Sequence, residues 1–122
     1  MKKILVVDDS ATIREQVKAA FAGKADFELV EAENGVDALA KLNSIQGFKL
    51  VISDVNMPEM DGITLVKHIA GNDVFKTIPI IMLTTEVSKE LKEQAKLYGV
   101  KAWMVKPFTA DKIVLAVEQL TK

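Results

Sequence analysis

The chain has no cysteine, which excludes a disulfide framework, a thiolate metal centre and a cysteine nucleophile. It has no surplus of positive charge. The 16 Lys and Arg face 17 Asp and Glu for a formal net charge of −1, whereas a nucleic-acid module ordinarily carries a basic excess. It has no long apolar run. The stretch Ile4-Leu5-Val6-Val7 is too short for a signal peptide or a membrane span, so the expected location is the cytoplasm, without membrane insertion. Linkers, repeats and low-complexity tracts are also missing, and residues 1–122 are expected to form one domain. What remains is the balance of a water-soluble globular protein, 49% hydrophobic and 27% charged.

Two kinds of segment alternate. Ile4–Val7, Phe27–Val30, Leu50–Ser53, Ile78–Thr84 and Val100–Val105 are short and rich in β-branched or aromatic residues. The first, third and fourth are nearly continuous apolar runs, the pattern of strands buried on both faces. Between them Ile13, Val17 and Phe21 recur at helical spacing, as do Val87, Leu91 and Ala95, and then Ile113, Ala116, Val117 and Leu120. Ser10, or Thr12 with Glu15 three residues on, supplies a first helix cap; Asn34, Asp61 and Thr109 supply later ones. Gly23, Gly47, Gly71 and Gly99 fall where helices should end. Strand and helix repeated in this order predict an α/β fold, a parallel sheet with helices on both faces.

In such folds ligands bind beyond the carboxyl ends of the strands. Asp8-Asp9 follow the first predicted strand, Asp54 the third, Thr84-Thr85-Glu86 end the fourth and Lys106-Pro107 follow the fifth. Each alone reads as a cap or a surface residue; together they make one edge. Three carboxylates about 5 Å apart at an effective dielectric of about 20 repel by about 3 kcal/mol per pair. The total is comparable to a domain stability of about 5–15 kcal/mol. The cluster must therefore protonate, splay or hold a cation, with Lys106 offsetting part of the charge. All-oxygen ligands favour Mg²⁺ or Ca²⁺, and Mg²⁺ is usual where phosphate is handled. A carboxylate is a competent nucleophile towards phosphorus. Asp54 as nucleophile, Asp8 and Asp9 as metal ligands, Thr84 as hydroxyl donor and Lys106 as ammonium complete a phosphoryl-transfer site.

The segments Leu5-Val6-Val7-Asp8-Asp9-Ser10, Asp54-Val55-Asn56-Met57-Pro58-Glu59-Met60-Asp61-Gly62, Leu83-Thr84-Thr85-Glu86 and Val105-Lys106-Pro107-Phe108 resemble the response-regulator receiver family over the whole chain. The single-domain organisation resembles CheY-type chemotaxis regulators. The resemblance implies a flavodoxin-like, doubly wound five-stranded parallel sheet of order 2-1-3-4-5 with five helices. It further implies Mg²⁺ held by Asp8, Asp9, Asp54 and the backbone carbonyl of Asn56, and a cis bond before Pro107. Phosphoryl would come from the phosphohistidine of a CheA-like histidine kinase. The domain would catalyse only that transfer and its own dephosphorylation, as a monomer that switches its binding to a flagellar motor switch or another signalling protein. Thr84 and Trp103 would be the switch residues; Asn56, Thr85 and Glu86 would tune hydrolysis. Two positions depart from the family pattern: the switch aromatic is more often Tyr or Phe than Trp103, and the residue after the switch threonine is usually smaller than Thr85.

Rival readings have less behind them. A small Mg²⁺-dependent phosphatase with an aspartyl nucleophile on strand one needs an Asp-any-Asp spacing, which Asp8-Asp9-Ser10 lacks. A nucleotide or flavin module needs a glycine-rich loop after strand one, and Asp8–Ile13 contains no glycine. A phosphorylation-independent adaptor has no use for the full acidic, hydroxyl and ammonium set. His68, the only histidine, reads as a solvated helix residue, and Met57, Met60 and Met82 as packing residues.

Overall fold

Five strands alternate with five helices in the computed structural model, which describes residues 1–122: β1 Lys2–Val7, α1 Ala11–Ala20, β2 Phe27–Ala32, α2 Gly35–Ser44, β3 Phe48–Ser53, α3 Gly62–Ala70, β4 Ile80–Thr84, α4 Lys89–Leu97, β5 Val100–Val105 and α5 Ala110–Leu120. The strands form one parallel sheet in the order β2-β1-β3-β4-β5. That is the order the resemblance implied, and it makes β1 and β3 neighbours.

The burial of each strand explains its sequence. β4 is buried at every position and β3 at every position but Lys49, while the edge strands β2 and β5 are mostly half-exposed. Residues alternate between two cores. Leu5, Val7, Val51 and Met82 face the layer of α2 and α3; Ile4, Val6, Ile52 and Leu83 face the layer of α1 and α5. Each such side chain contributes about 1.5–3 kcal/mol on removal from water.

The caps hold with one choice resolved and one addition. Ser10, not Thr12, starts α1 by accepting from the Ile13 N–H at 3.3 Å, and Asn34, Asp61 and Thr109 cap α2, α3 and α5. Ser88 caps α4 through the Leu91 N–H, so Val87 lies outside the helix and is 63% exposed rather than part of the stripe with Leu91 and Ala95. β4 begins at Ile80 and not at Ile78. The Ile78 N–H is turned back to Phe75, and Pro79 has no N–H to give a ladder. Gly23, Gly47 and Gly99 have positive φ at the expected helix exits, whereas Gly71 caps α3 at φ −85°.

Candidate functional site

The ladders place the site. One residue past the end of β1, the Asp8 N–H donates to Ala32 of β2; past β3, the Asp54 N–H donates to Val7 of β1; past β5, the Lys106 N–H donates to Thr84 of β4. Three side chains from distant parts of the sequence are thus fixed at one edge by the same backbone pattern that makes the sheet. Carboxylate oxygens of Asp8, Asp9 and Asp54 come within 4.8 Å of one another. The Lys106 Nζ donates to Asp8 Oδ2 at 2.8 Å and to Asp54 Oδ2 at 3.0 Å. The peptide bond Lys106–Pro107 is cis, as the resemblance implied.

The three acids differ in freedom. Asp8 is buried, and its Oδ1 accepts from the Ser10 N–H at 2.9 Å. Asp54 is buried, and its Oδ1 accepts from the Val55 N–H at 2.6 Å. Asp9 is exposed. Burial raises the Asp8 pKa above the ordinary carboxylate value against the pull of the Lys106 hydrogen bond. Burial alone would lower the Lys106 pKa, but its hydrogen bonds to Asp8 and Asp54 outweigh that and leave it raised. Clustered hard oxygens with one ammonium among them suit a hard divalent cation and do not suit a thiophilic one.

This electrostatic imbalance predicts a stability effect. Asp8 is buried beside Asp54, with one attraction, from Lys106 at 2.8 Å. Burial of the Asp8 carboxylate is the largest unfavourable effect, and with a smaller repulsion from Asp54 it outweighs the hydrogen bonds and the attraction of Lys106. Asp8→Asn should therefore stabilise the metal-free protein by about 1 kcal/mol at neutral pH, without a bound cation. A carboxyl whose pKa is raised by folding costs nothing while protonated in both states, and its cost grows as pH rises through the folded value. The gain should accordingly vanish at strongly acidic pH. Chemical denaturation of wild type and variant from acid to neutral pH measures it; a variant less stable at neutral pH would contradict the imbalance.

The remaining expected residues flank the acids. Thr84 is fully buried, and its Oγ1 accepts from the Glu86 N–H at 3.1 Å. The Glu86 carbonyl accepts from the Trp103 Nε1–H at 3.0 Å, and its carboxylate accepts from the Ser88 N–H at 3.2 Å. Thr84 and Trp103 are therefore connected through the backbone of Glu86. Trp103 is half-buried and packs against the core on the α2 and α3 side. Asn56 and Thr85 are exposed at the rim. His68 is exposed on α3, and Met82 is fully buried.

Two contributors were not legible in the sequence. The Arg14 guanidinium donates to the Asp8 carbonyl at 2.5 Å and to Glu31 Oε1 at 2.9 Å. Gly62 lies so close to Asp54 that a Cβ there would collide with the Asp54 carbonyl oxygen. Gly62 stands in the motif quoted above, but only the fold gives it this reason.

The geometry agrees with the comparisons. Residues 4–118 match the response regulator receiver domain. The chemotaxis protein CheY1 of Helicobacter pylori is 46% identical over 107 residues, 88% of this chain and 86% of that protein. A chemotaxis protein CheY homolog of Campylobacter jejuni is 42% identical over 107 residues, 88% of this chain and 82% of its own length. The solved structure of the chemotaxis response regulator CheY4 of Vibrio cholerae superposes with a TM-score of 0.88 at 40% identity and covers 98% of each chain. An edge of acids and one lysine on a sheet of order 2-1-3-4-5, matched over nearly its full length, makes this chain a member of the response-regulator receiver family, of the CheY-like type.

Proposed function

We propose that Asp54 is the phospho-acceptor, that Mg²⁺ is the cofactor, and that residues 1–122 act as one monomeric receiver unit in the cytoplasm. The observation that carries the acceptor and the cofactor is the position of Lys106 Nζ, 2.8 Å from Asp8 and 3.0 Å from Asp54, beside a third carboxylate. Asp8, Asp9, Asp54 and the Asn56 carbonyl are the ligand set, and a bound Mg²⁺ would neutralise charge on the phosphoryl oxygens. An Asp54 carboxylate oxygen attacks phosphorus in line as the P–N bond of the donor phosphohistidine breaks. The Lys106 ammonium and the Thr84 hydroxyl take phosphoryl oxygens. Thr84 Oγ1 accepts from the Glu86 N–H, so a movement of the hydroxyl towards the phosphoryl group would lengthen or redirect that bond and reach Trp103 through the Glu86 carbonyl. The relatives named as chemotaxis proteins support a CheA-like kinase as donor and a motor switch or another signalling protein as target. A phosphatase acting on external esters is not favoured.

Mg²⁺ should raise the stability of the wild type, because it relieves carboxylate repulsion. At ten times its dissociation constant the gain is about 1.4 kcal/mol. Thermal melts in Mg²⁺ and in EDTA should differ, and Asp9→Ala should erase the difference. Equal melting of the wild type across a full titration would remove Mg²⁺ from the reading.

Phosphoryl lifetime tests the rim. Asn56 and Glu86 resemble the pair found in fast-resetting regulators, where an amide and a carboxylate hold water in line. Thr85 narrows the same entrance. The phosphorylated form should decay in seconds to minutes, faster in Thr85→Ala and more slowly in Asn56→Arg. Decay after donor removal measures this, and a slower Thr85→Ala variant would overturn the role of the rim.

A further inference from the structure

Arg14 takes no part in the reaction described above, yet it makes the shortest hydrogen bond to the acid pair. Its Nη1 donates at 2.5 Å to the Asp8 carbonyl, which belongs to the peptide joining Asp8 to Asp9. Its Nε donates at 2.9 Å to Glu31 on β2, and its side chain is only 16% exposed. Glu31 is itself held. Lys18 donates to its Oε2 at 3.2 Å, and Lys41 donates to its backbone carbonyl at 2.6 Å. The hydrogen bond from Arg14, with help from Lys18, keeps the Glu31 carboxyl below its ordinary pKa, so it stays ionised. The other half of the Asp8 backbone, its N–H, is bonded to Ala32, the residue after Glu31. Both polar groups of the Asp8 backbone are thus anchored to the same two residues of β2, one directly and one through Arg14.

The peptide that Arg14 grips sets the direction in which Asp9 leaves the chain. Asp9 is the exposed member of the acid cluster, the one with least side-chain packing to aim it. We propose that Arg14, braced by Glu31, is a positioning residue for the divalent-cation site: it fixes the Asp8–Asp9 peptide plane and so presents both carboxylates to one ion. This rests on the Mg²⁺ reading given above. The planar fork of arginine holds two acceptors at once in fixed directions, which the single ammonium of lysine does not reproduce. Partners that orient metal ligands without touching the metal typically cost about 10–100-fold in affinity when removed. Acting through backbone, Arg14 belongs at the lower end of that range.

Charge and positioning predict opposite signs, which makes the inference testable. A nearby positive charge repels a cation, so loss of the Arg14 charge alone would tighten Mg²⁺ binding. Arg14→Lys keeps the charge and loses the fork; Arg14→Gln loses both. Calorimetric titration with Mg²⁺ should show about tenfold weaker binding for Arg14→Lys, and Arg14→Gln should also bind more weakly than wild type. In the metal-free protein the Asp9 amide, whose peptide carbonyl Arg14 holds, should shift in the ¹⁵N spectrum of both variants while the amides of β3 and β4 stay in place. Glu31→Gln, which leaves Arg14 intact but replaces its charged brace with a neutral acceptor, should move the same amide by less. Unchanged affinity in Arg14→Lys, tighter binding in Arg14→Gln, or an unmoved Asp9 amide in a folded variant would each overturn the positioning role. Absence of Mg²⁺ binding by the wild type would instead overturn the metal reading and this inference with it.

Discussion

Asp54→Asn should reduce incorporation of phosphoryl from acetyl phosphate and Mg²⁺ from about one group per chain to none. The substitution keeps shape and removes the charge on the attacking oxygen. An amide oxygen is too weak a nucleophile to displace a leaving group from phosphorus. Other acceptors stand close by: Asp9 is within the same 4.8 Å cluster and Thr84 ends the adjacent strand. They are excluded by different means. Asp8 has both oxygens engaged, by Lys106 and by the Ser10 N–H, Asp9 is solvent-exposed, and the Thr84 hydroxyl has no neighbouring base in contact to take its proton. Collapse of the fold is not an alternative explanation, because Lys106 has a second partner in Asp8, 2.8 Å away in the wild type, and the substitution removes one repulsive charge. The variant should melt no lower than wild type. Lys106→Ala gives the complementary result. Loss of one preorganised positive group typically costs about 10²–10³ in rate, so labelling should be slowed but still reach Asp54. Intact-mass spectrometry over time separates the two behaviours. Undiminished labelling of Asp54→Asn, or a label stable to hydroxylamine, would assign the acceptor elsewhere.

How far the sequence carried can be judged strand by strand. β1, β3 and β4 were readable because central strands of a parallel sheet are buried on both faces and so appear as apolar runs. The β2 pattern ends at Val30 in the sequence, although Ala32 is almost fully buried and its carbonyl receives the Asp8 N–H. The intervening Glu31 looks like the end of a strand, and only its partners Arg14, Lys18 and Lys41 show why an acid belongs there. The acids of the site were legible because one rule, ligands at strand carboxyl ends, applies to all of them. Lys106 follows from the same rule, while the cis bond before Pro107 is implied only by the family resemblance. Arg14 was not legible at all. Its two acceptors lie 6 and 17 residues away, outside any helical or strand period, and on a helix surface a lone arginine reads as solvated. The bond from Trp103 to the Glu86 carbonyl is equally invisible, since it spans 17 residues and ends on backbone.

Gly62→Ala should be the most damaging single-methyl change in the protein. Gly62 opens α3, and its φ is not in the left-handed region, so alanine is forbidden there by space rather than by backbone preference. An added Cβ would collide with the Asp54 carbonyl oxygen and lie 2.9 Å from the buried Met82 Cε. Met82 could give a little, but the carbonyl cannot. It accepts from the Ser53 hydroxyl at 2.8 Å, and the N–H of the same residue is tied to Val7. Gly62 cannot back away either, because its own N–H donates to the Val55 carbonyl at 2.7 Å. Relief requires separating the start of α3 from the end of β3. Overpacking of this kind costs typically 1–3 kcal/mol and more where backbone must move, so about 3 kcal/mol or more is expected. For a domain of this size that lowers Tm by roughly 12 °C. The displaced carbonyl belongs to Asp54 itself, so the folded fraction of the variant should also accept phosphoryl more slowly than wild type. Gly71→Ala is the control: φ there is −85°, the nearest atom to a Cβ is the Lys67 carbonyl oxygen at 3.4 Å, and the change should stay within about 1 kcal/mol. Melts and acetyl phosphate labelling of the two variants side by side decide the matter. If Gly62→Ala melts within a few degrees of Gly71→Ala and labels at the wild-type rate, α3 can move off β3 at little cost, and Gly62 is not what holds the acceptor strand in place.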